Sequence, residues 1–226
     1  MFLSDTIAVD VVPAIIPTSS KDLADKLSRT SVFATEVQID IVDGVYAKPA
    51  SWPFADDAMS ELATFERPAL LKIELDLMVS NPLEYLDALM ALKPARVVVH
   101  LAAIKDIDAI ISHSKAHDYI LGIGIGLDTS IKYIEALDAS DIGYFQIMGI
   151  ATVGSQGKPF DERVLTKIRE VLGCCAEHPI SIDGAVNDET LPRLYTAGAS
   201  RFVVGSAIWN AEDPAKAFEA LQTITI

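Results

Sequence analysis

LLKIELDLMVSNPLEYLDALMALKPARVVVHL, running from Leu70 to Leu101, is the stretch that decides the fold. Its first part, Leu70 to Leu75, and its last, Arg96 to Leu101, are short runs rich in large aliphatic residues. Between them, Pro82 to Leu92 repeats apolar residues at helical spacing. A buried strand, an amphipathic helix and a second buried strand, in that order, mark a βαβ unit with parallel strands. Asn81 is placed to cap the helix and Pro82 suits its first position.

The same alternation extends in both directions. Strands are expected at Val9 to Ile16, Thr35 to Ile41, Ile120 to Ile125, Ile142 to Met148, Ile180 to Ile182 and Arg201 to Val204, which makes eight with the first two. Amphipathic stretches lie between them at Ser20 to Arg29, Ser130 to Leu137, Asp161 to Leu172 and Asp188 to Ala197. Ser19 or Ser20, Thr129 and Asn187 are further candidate N-caps, and Gly198 is a natural helix stop. Eight strands favour a closed barrel over a doubly wound sheet, which more often has five or six. No linker divides the 226 residues, and such barrels commonly reach about 250 as one unit. The expectation is an α/β protein, a single (β/α)8 TIM barrel domain over residues 1–226.

Half the residues are hydrophobic and 22% are charged, enough apolar material for a large core. The formal charge of -14 and pI near 4.6 repel nucleic acid and anionic lipid, so no nucleic-acid partner is expected and a phosphate would need a local cradle of backbone amides. The opening MFLSDTIAVD has no basic n-region, and no apolar stretch reaches the roughly 18 residues of a membrane span. A cytoplasmic protein without a membrane partner is the expectation. Cys174 and Cys175 are adjacent, so they read as two reduced thiols near a helix end.

In barrels the reactive groups come from the carboxyl ends of the strands and the loops that follow. Those places hold Asp40, Asp43 and Gly44 after the second strand, Asp76 and Met78 after the third, and His100 after the fourth. The glycine-containing loop Gly149 to Lys158 follows the sixth, Asp183-Gly184-Ala185 the seventh and Gly205-Ser206 the eighth. A strand-end Asp is equally often a cap or a loop-ordering acceptor. Three on one mouth, however, repel one another unless a cation, a shared proton or water relieves them. Gly122, Gly124 and Gly126 break the dinucleotide-binding spacing and read as small residues making room inside a strand. His113 and His117 have i, i+4 ligand spacing, but no third ligand is evident and Ser112 to Asp118 reads as a solvated helix end, so no metal is expected there.

At the strand ends the chain resembles the ribulose-phosphate 3-epimerase family, almost end to end. Gln38-Ile39-Asp40-Ile41-Val42-Asp43-Gly44 is similar to the family's H-x-D-x-M-D-G, and Asp76-Leu77-Met78-Val79-Ser80-Asn81-Pro82 to its H-L-M-x-x-x-P. Val99-His100 matches the V-H ending strand four, and Ile182-Asp183-Gly184-Ala185-Val186-Asn187 resembles V-D-G-G-I-N. Ala197-Gly198-Ala199 and Val204-Gly205-Ser206-Ala207-Ile208 match the AGA and GSAIF pattern. The resemblance implies that Asp40 and Asp183 exchange the C3 proton of a ketopentose phosphate from opposite faces, with a metal stabilising the enediolate. It also places His100, Met78, Met148, Gly154, Ser155, Gly184, Ala185, Gly205 and Ser206 around the phosphorylated sugar. Barrels of this family often pair or assemble further, so a homo-oligomer is in keeping with it, although no segment identifies an interface.

The metal positions depart from the family. Its two His read here as Gln38 and Asp76, giving with Asp40 and Asp183 an all-oxygen set that suits Mg²⁺ or Mn²⁺ better than Zn²⁺. Three carboxylates around a divalent ion leave a net charge of about -1 and a weaker Lewis acid. Either a hard-metal epimerase or a metal-free descendant follows. The family's P-S-I-L has become Pro13-Ala14-Ile15-Ile16, losing a hydroxyl, and its N-P-G-F-G-G-Q has become Ala151-Thr152-Val153-Gly154-Ser155-Gln156-Gly157, then Lys158. Two other readings stay open: a lyase or aldolase on the same barrel, or a phosphosugar-binding protein without catalysis. Lys72 is expected to precede the mouth, which disfavours a Schiff base.

Overall fold

A computed structural model describes residues 6–151 and 159–225. Among the described residues ten strands form in chain order: β1 (Thr6–Ala8), β2 (Asp10–Ile15), β3 (Glu36–Val42), β4 (Lys72–Met78), β5 (Arg96–His100), β6 (Ile120–Ile125), β7 (Tyr144–Met148), β8 (Ile180–Asp183), β9 (Arg201–Val204) and β10 (Thr223–Thr225). Strands β2 to β9 pair in sequence, all parallel, and β9 returns to β2, closing an eight-stranded barrel. The protein is a (β/α)8 TIM barrel.

All eight expected strands are present, and two of them, Ile120–Ile125 and Arg201–Val204, have the expected bounds. The third begins and ends later than its aliphatic run suggests, at Lys72–Met78, so Asp76 and Met78 lie within the strand and not after it. The acid interrupts the apolar pattern because it points into the barrel, while Leu75 and Leu77 pack outward in the main core. Not anticipated was the small antiparallel sheet of β1 and β10, which brings the residues before the first barrel strand against those after the last helix.

The helices are α1 (Ser20–Thr30), α2 (Pro82–Leu89), α3 (Ile107–His117), α4 (Ile131–Glu135), α5 (Arg163–Cys174), α6 (Leu191–Ala197), α7 (Ser206–Trp209) and α8 (Pro214–Leu221). Ser19 caps α1 by accepting from the Asp22 amide, and Gly198 ends α6 in the left-handed region at φ 113°. Thr129 is not the cap of α4, which starts after Ser130; the Thr129 carbonyl instead accepts from Lys167 Nζ at 2.8 Å. Asn187 also stands outside its helix, its side chain accepting from the Glu189 and Thr190 amides at 3.0 Å in the turn before α6. Cys174 and Cys175, at the end of α5, are free thiols.

The barrel interior is unusually polar. At its amino end Arg201 Nη1 donates to Glu74 Oε1 at 3.1 Å and Nη2 to Glu36 Oε1 at 2.9 Å; Arg96 Nε donates to the same Glu36 oxygen at 3.0 Å. Arg96 and Arg201 also lie over the Tyr144 ring, 5.4 and 5.8 Å from its centre. Gly122 makes this possible, because a Cβ there would fall 2.5 Å from a Tyr144 ring carbon. Inward positions that commonly carry Val, Ile and Leu thus hold an ionic layer in which Glu74 and Arg201 are buried. No helix of the described residues is long and apolar enough to cross a membrane.

Candidate active site in the barrel mouth

Parallel register places Asp40 of β3 opposite Asp76 of β4, and Met148 of β7 opposite Asp183, the last residue of β8. Asp40, Asp76 and Asp183 are all buried, and each offers an oxygen within 4.8 Å of the other two. Inward alternation along three strands produces this convergence.

The acids are held by hydrogen bonds. Gln38, two residues before Asp40 and on the same face of β3, donates from Nε2 to Asp40 Oδ1 at 2.7 Å and to Asp183 Oδ2 at 2.8 Å. His100 Nε2 donates to Asp76 Oδ1 at 2.8 Å, and Gln146 Nε2 donates to Asp76 Oδ2 at 3.1 Å. Ser181 in turn donates to Gln146 Oε1 at 3.3 Å. The reading of strand ends missed Gln146 and Ser181. Both lie two residues before an expected mouth residue, Met148 or Asp183, so following the strand alternation one step inward would have found them.

Crowding changes the acidity. Burial, then the Asp183 and Asp76 charges, push the Asp40 carboxyl well above the usual carboxylate range. Burial and the Asp76 charge push Asp183 up to about 7, against the opposing pull of the Gln38 hydrogen bond and of His100. For His100, burial favours the neutral ring, but the charge and hydrogen bond of Asp76 outweigh it and raise the imidazole pKa. Asp183 thus titrates far above an ordinary carboxylate because of its enclosure.

The other expected residues divide into distinct groups. Met78 and Met148 are fully buried, packed with Val42 and Ala47, with Tyr46 against them. Tyr46 also lies 5.3 Å from His100, ring centre to ring centre, and burial with the Asp76 charge raises its phenol to about 12. Asp43 orders loops: its oxygens accept from the Val45 and Tyr46 amides and from the amide and hydroxyl of Ser80. Although partial burial acts upward, these donors hold its carboxyl below the usual range. Gly124 supplies space, since a Cβ there would fall 2.8 Å from His100 Nδ1. Lys72 opens β4, at the amino end and away from the mouth.

The turn after β8 is held tightly. The Gly149 amide donates to the Asp183 carbonyl at 2.7 Å, and a Cβ at Gly149 would meet the Gly184 carbonyl oxygen at 2.1 Å. Gly184 has φ 107° and Ala185 φ 55°, so an alanine occupies the left-handed region at a cost of roughly 1 kcal/mol. Thr190 Oγ1 donates to the Ala185 carbonyl at 2.7 Å and helps hold it. Gly205 and Ser206 open α7, and Trp209 Nε1 donates to the Ala14 carbonyl at 2.7 Å, fastening that turn to the end of β2. Gly154 and Ser155 lie outside the described residues.

An eight-stranded parallel barrel with its acids at the carboxyl ends of the strands has the architecture of barrel enzymes, which carry their chemistry there. Over residues 10–209 the chain matches the family model described as "Ribulose-phosphate 3 epimerase family", and it belongs to that family. It is 25% identical to the ribulose-phosphate 3-epimerase of Bacillus subtilis, over 95% of this chain and 98% of that one. Identity to the ribulose-phosphate 3-epimerase of Mycobacterium bovis is 26%, over 94% and 91% of the two chains. Among solved structures, a 3-hexulose-6-phosphate synthase superposes with a TM-score of 0.67 at 21% identity, covering 94% of this chain and 98% of that one. At that identity the likeness shows the shared barrel.

Proposed function

We propose that this protein is a cytoplasmic ketose-phosphate epimerase in which Asp40 and Asp183 exchange the proton at C3. The observation that carries the reading is that two buried carboxyls from strands β3 and β8 share one donor, Gln38 Nε2, at 2.7 and 2.8 Å, with both carboxyl pKa values raised. Carboxyls carried by two strands that are not neighbours in the barrel, β3 and β8, can meet one substrate carbon from two sides. One member, ionised, takes the C3 proton to give an enediolate. The other, protonated, returns a proton to the opposite face, which inverts the centre. Raised pKa values favour this division, because neighbouring carboxyls do not both ionise near neutrality.

A divalent ion fits the donor set. Gln38 Oε1 is buried without a hydrogen-bond partner among the described residues, and Asp40, Asp76 and Asp183 each offer a carboxyl oxygen within 4.8 Å of the other two. Gln38, Asp40, Asp76 and Asp183 would hold a hard cation such as Mg²⁺ or Mn²⁺. When bound, it supplies Lewis-acid stabilisation of the enediolate charge. His100 and Gln146 each hold one oxygen of Asp76. Met78, Met148 and Tyr46, packed together with Tyr46 against His100, are assigned to exclude water from the site. The Gly205-Ser206 turn, whose first helical amides lack intrahelical acceptors, is assigned to the substrate phosphate together with Gly184, Ala185, Gly154 and Ser155.

The test is to incubate the protein with ribulose 5-phosphate in D₂O with Mg²⁺, Mn²⁺ or Zn²⁺ in turn and to follow the C3 proton by NMR. Exchange with formation of xylulose 5-phosphate is expected, and Asp40→Asn or Asp183→Asn should lower it by about 10²- to 10⁴-fold while leaving the barrel folded. Undiminished exchange in either variant would remove that residue from the mechanism. No exchange under any of the ions, in folded wild-type protein, would dismiss the pentulose-phosphate substrate.

A further inference from the structure

On the outer surface, away from the mouth, α2 and α3 bring together three metal-binding side chains. His113 and His117 lie one turn apart on α3, and Asp87 comes from α2. This is the third group that the local sequence around the two histidines lacks. The imidazoles stack with ring centres 4.2 Å apart and planes at 20°. Both Nε2 atoms face Asp87 Oδ1, at 3.1 Å from His113 and 3.7 Å from His117. One donor atom from each of the three lies within 4.8 Å of the others.

His113 is oriented from behind. Its Nδ1 lies 3.1 Å from the hydroxyl of Tyr119, a buried residue whose phenol is kept protonated by burial. That contact turns Nε2 outward to Asp87, as partners of metal-binding imidazoles commonly do. A divalent ion is met by a lone pair from each ring and by the carboxylate together.

We propose that Asp87, His113 and His117 form a zinc site linking α2 to α3, with water completing four-coordination. Two imidazole nitrogens and one carboxylate oxygen suit Zn²⁺, whereas the oxygen-only mouth suits harder ions. The net charge of -14 favours cation capture at the surface. This site does not depend on the epimerase assignment.

The test uses untagged full-length protein, titrated with Zn²⁺ by calorimetry and followed by ¹⁵N NMR of the histidine rings. The Asp87 side chain is 87% exposed, so Asp87→Ala leaves the packing intact. The wild type is expected to take up one zinc equivalent that moves the Nε2 resonances of His113 and His117. Asp87→Ala and His117→Ala should each weaken this uptake by at least about tenfold, the lower end of what even an outer partner of a metal ligand contributes. Unmoved Nε2 resonances, or the same zinc isotherm in wild type and Asp87→Ala, would overturn the proposal, and zinc held only by the barrel carboxylates would give that second result.

Discussion

Gln38 Nε2 donates to Asp183 Oδ2 at 2.8 Å, although 145 residues separate the two in sequence. The same nitrogen reaches Asp40, so one amide restrains two acids that would otherwise repel. Gln38→Leu removes the donor and leaves buried acceptors behind. It should destabilise the barrel by about 1–3 kcal/mol in urea unfolding. It should also move the Asp183 carboxyl above its wild-type value of about 7, because that hydrogen bond pulls the value down. Carboxyl-carbon NMR titration reads the second effect, and an unmoved titration would mean that the contact is not made in solution.

Stability should respond to pH in a direction set by the same acids. Burial raises the folded-state pKa of Asp183 to about 7, from an ordinary 3.8. The folded form therefore binds more protons than the unfolded chain between those values, and stability falls as pH rises through the interval. His100, also raised, acts in the same direction. Surface acids with lowered values, such as Asp43, act oppositely, so the comparison must be with Asp183→Asn. Wild type should lose stability relative to that variant by a few kcal/mol, at about 1.4 kcal/mol per pKa unit, between pH 4 and pH 8 as read by urea midpoints. A constant difference would contradict the raised value.

Gly124→Ala tests the packing of the mouth. The added methyl would fall 2.8 Å from His100 Nδ1 in a fully paired strand. It should cost about 1–3 kcal/mol and displace the imidazole from Asp76, lowering the His100 titration midpoint. A variant as stable as wild type, with an unchanged midpoint, would show that the strand has room to spare.

At the opposite end of the barrel, Arg201→Met leaves Glu74 buried without its cation. The expected loss is about 3–5 kcal/mol by urea unfolding. Burial already raises the Glu74 carboxyl, with Arg201 as its main counterweight. Adding Glu74→Gln to Arg201→Met should therefore recover more than half of the loss. Failure to recover would assign the cost to lost packing over Tyr144 instead.

The strands were legible in sequence because a buried parallel strand must be a short aliphatic run and its helix must show a 3.6-residue stripe. Ile120–Ile125 and Arg201–Val204 follow from that pattern alone. Asp40, Asp76 and Asp183 were legible too, since chemistry gathers at the carboxyl ends of such strands. Closure of the barrel decided the rest. Which acid receives Gln38 Nε2, which one His100 pairs with, that Arg201 answers Glu74, and that Asp87 completes the His113 and His117 pair all depend on the lateral register of strands and helices far apart in the chain. The acidity of the site was equally out of reach of the sequence, because a pKa reflects burial and the charges nearby, and those exist only once the barrel encloses them.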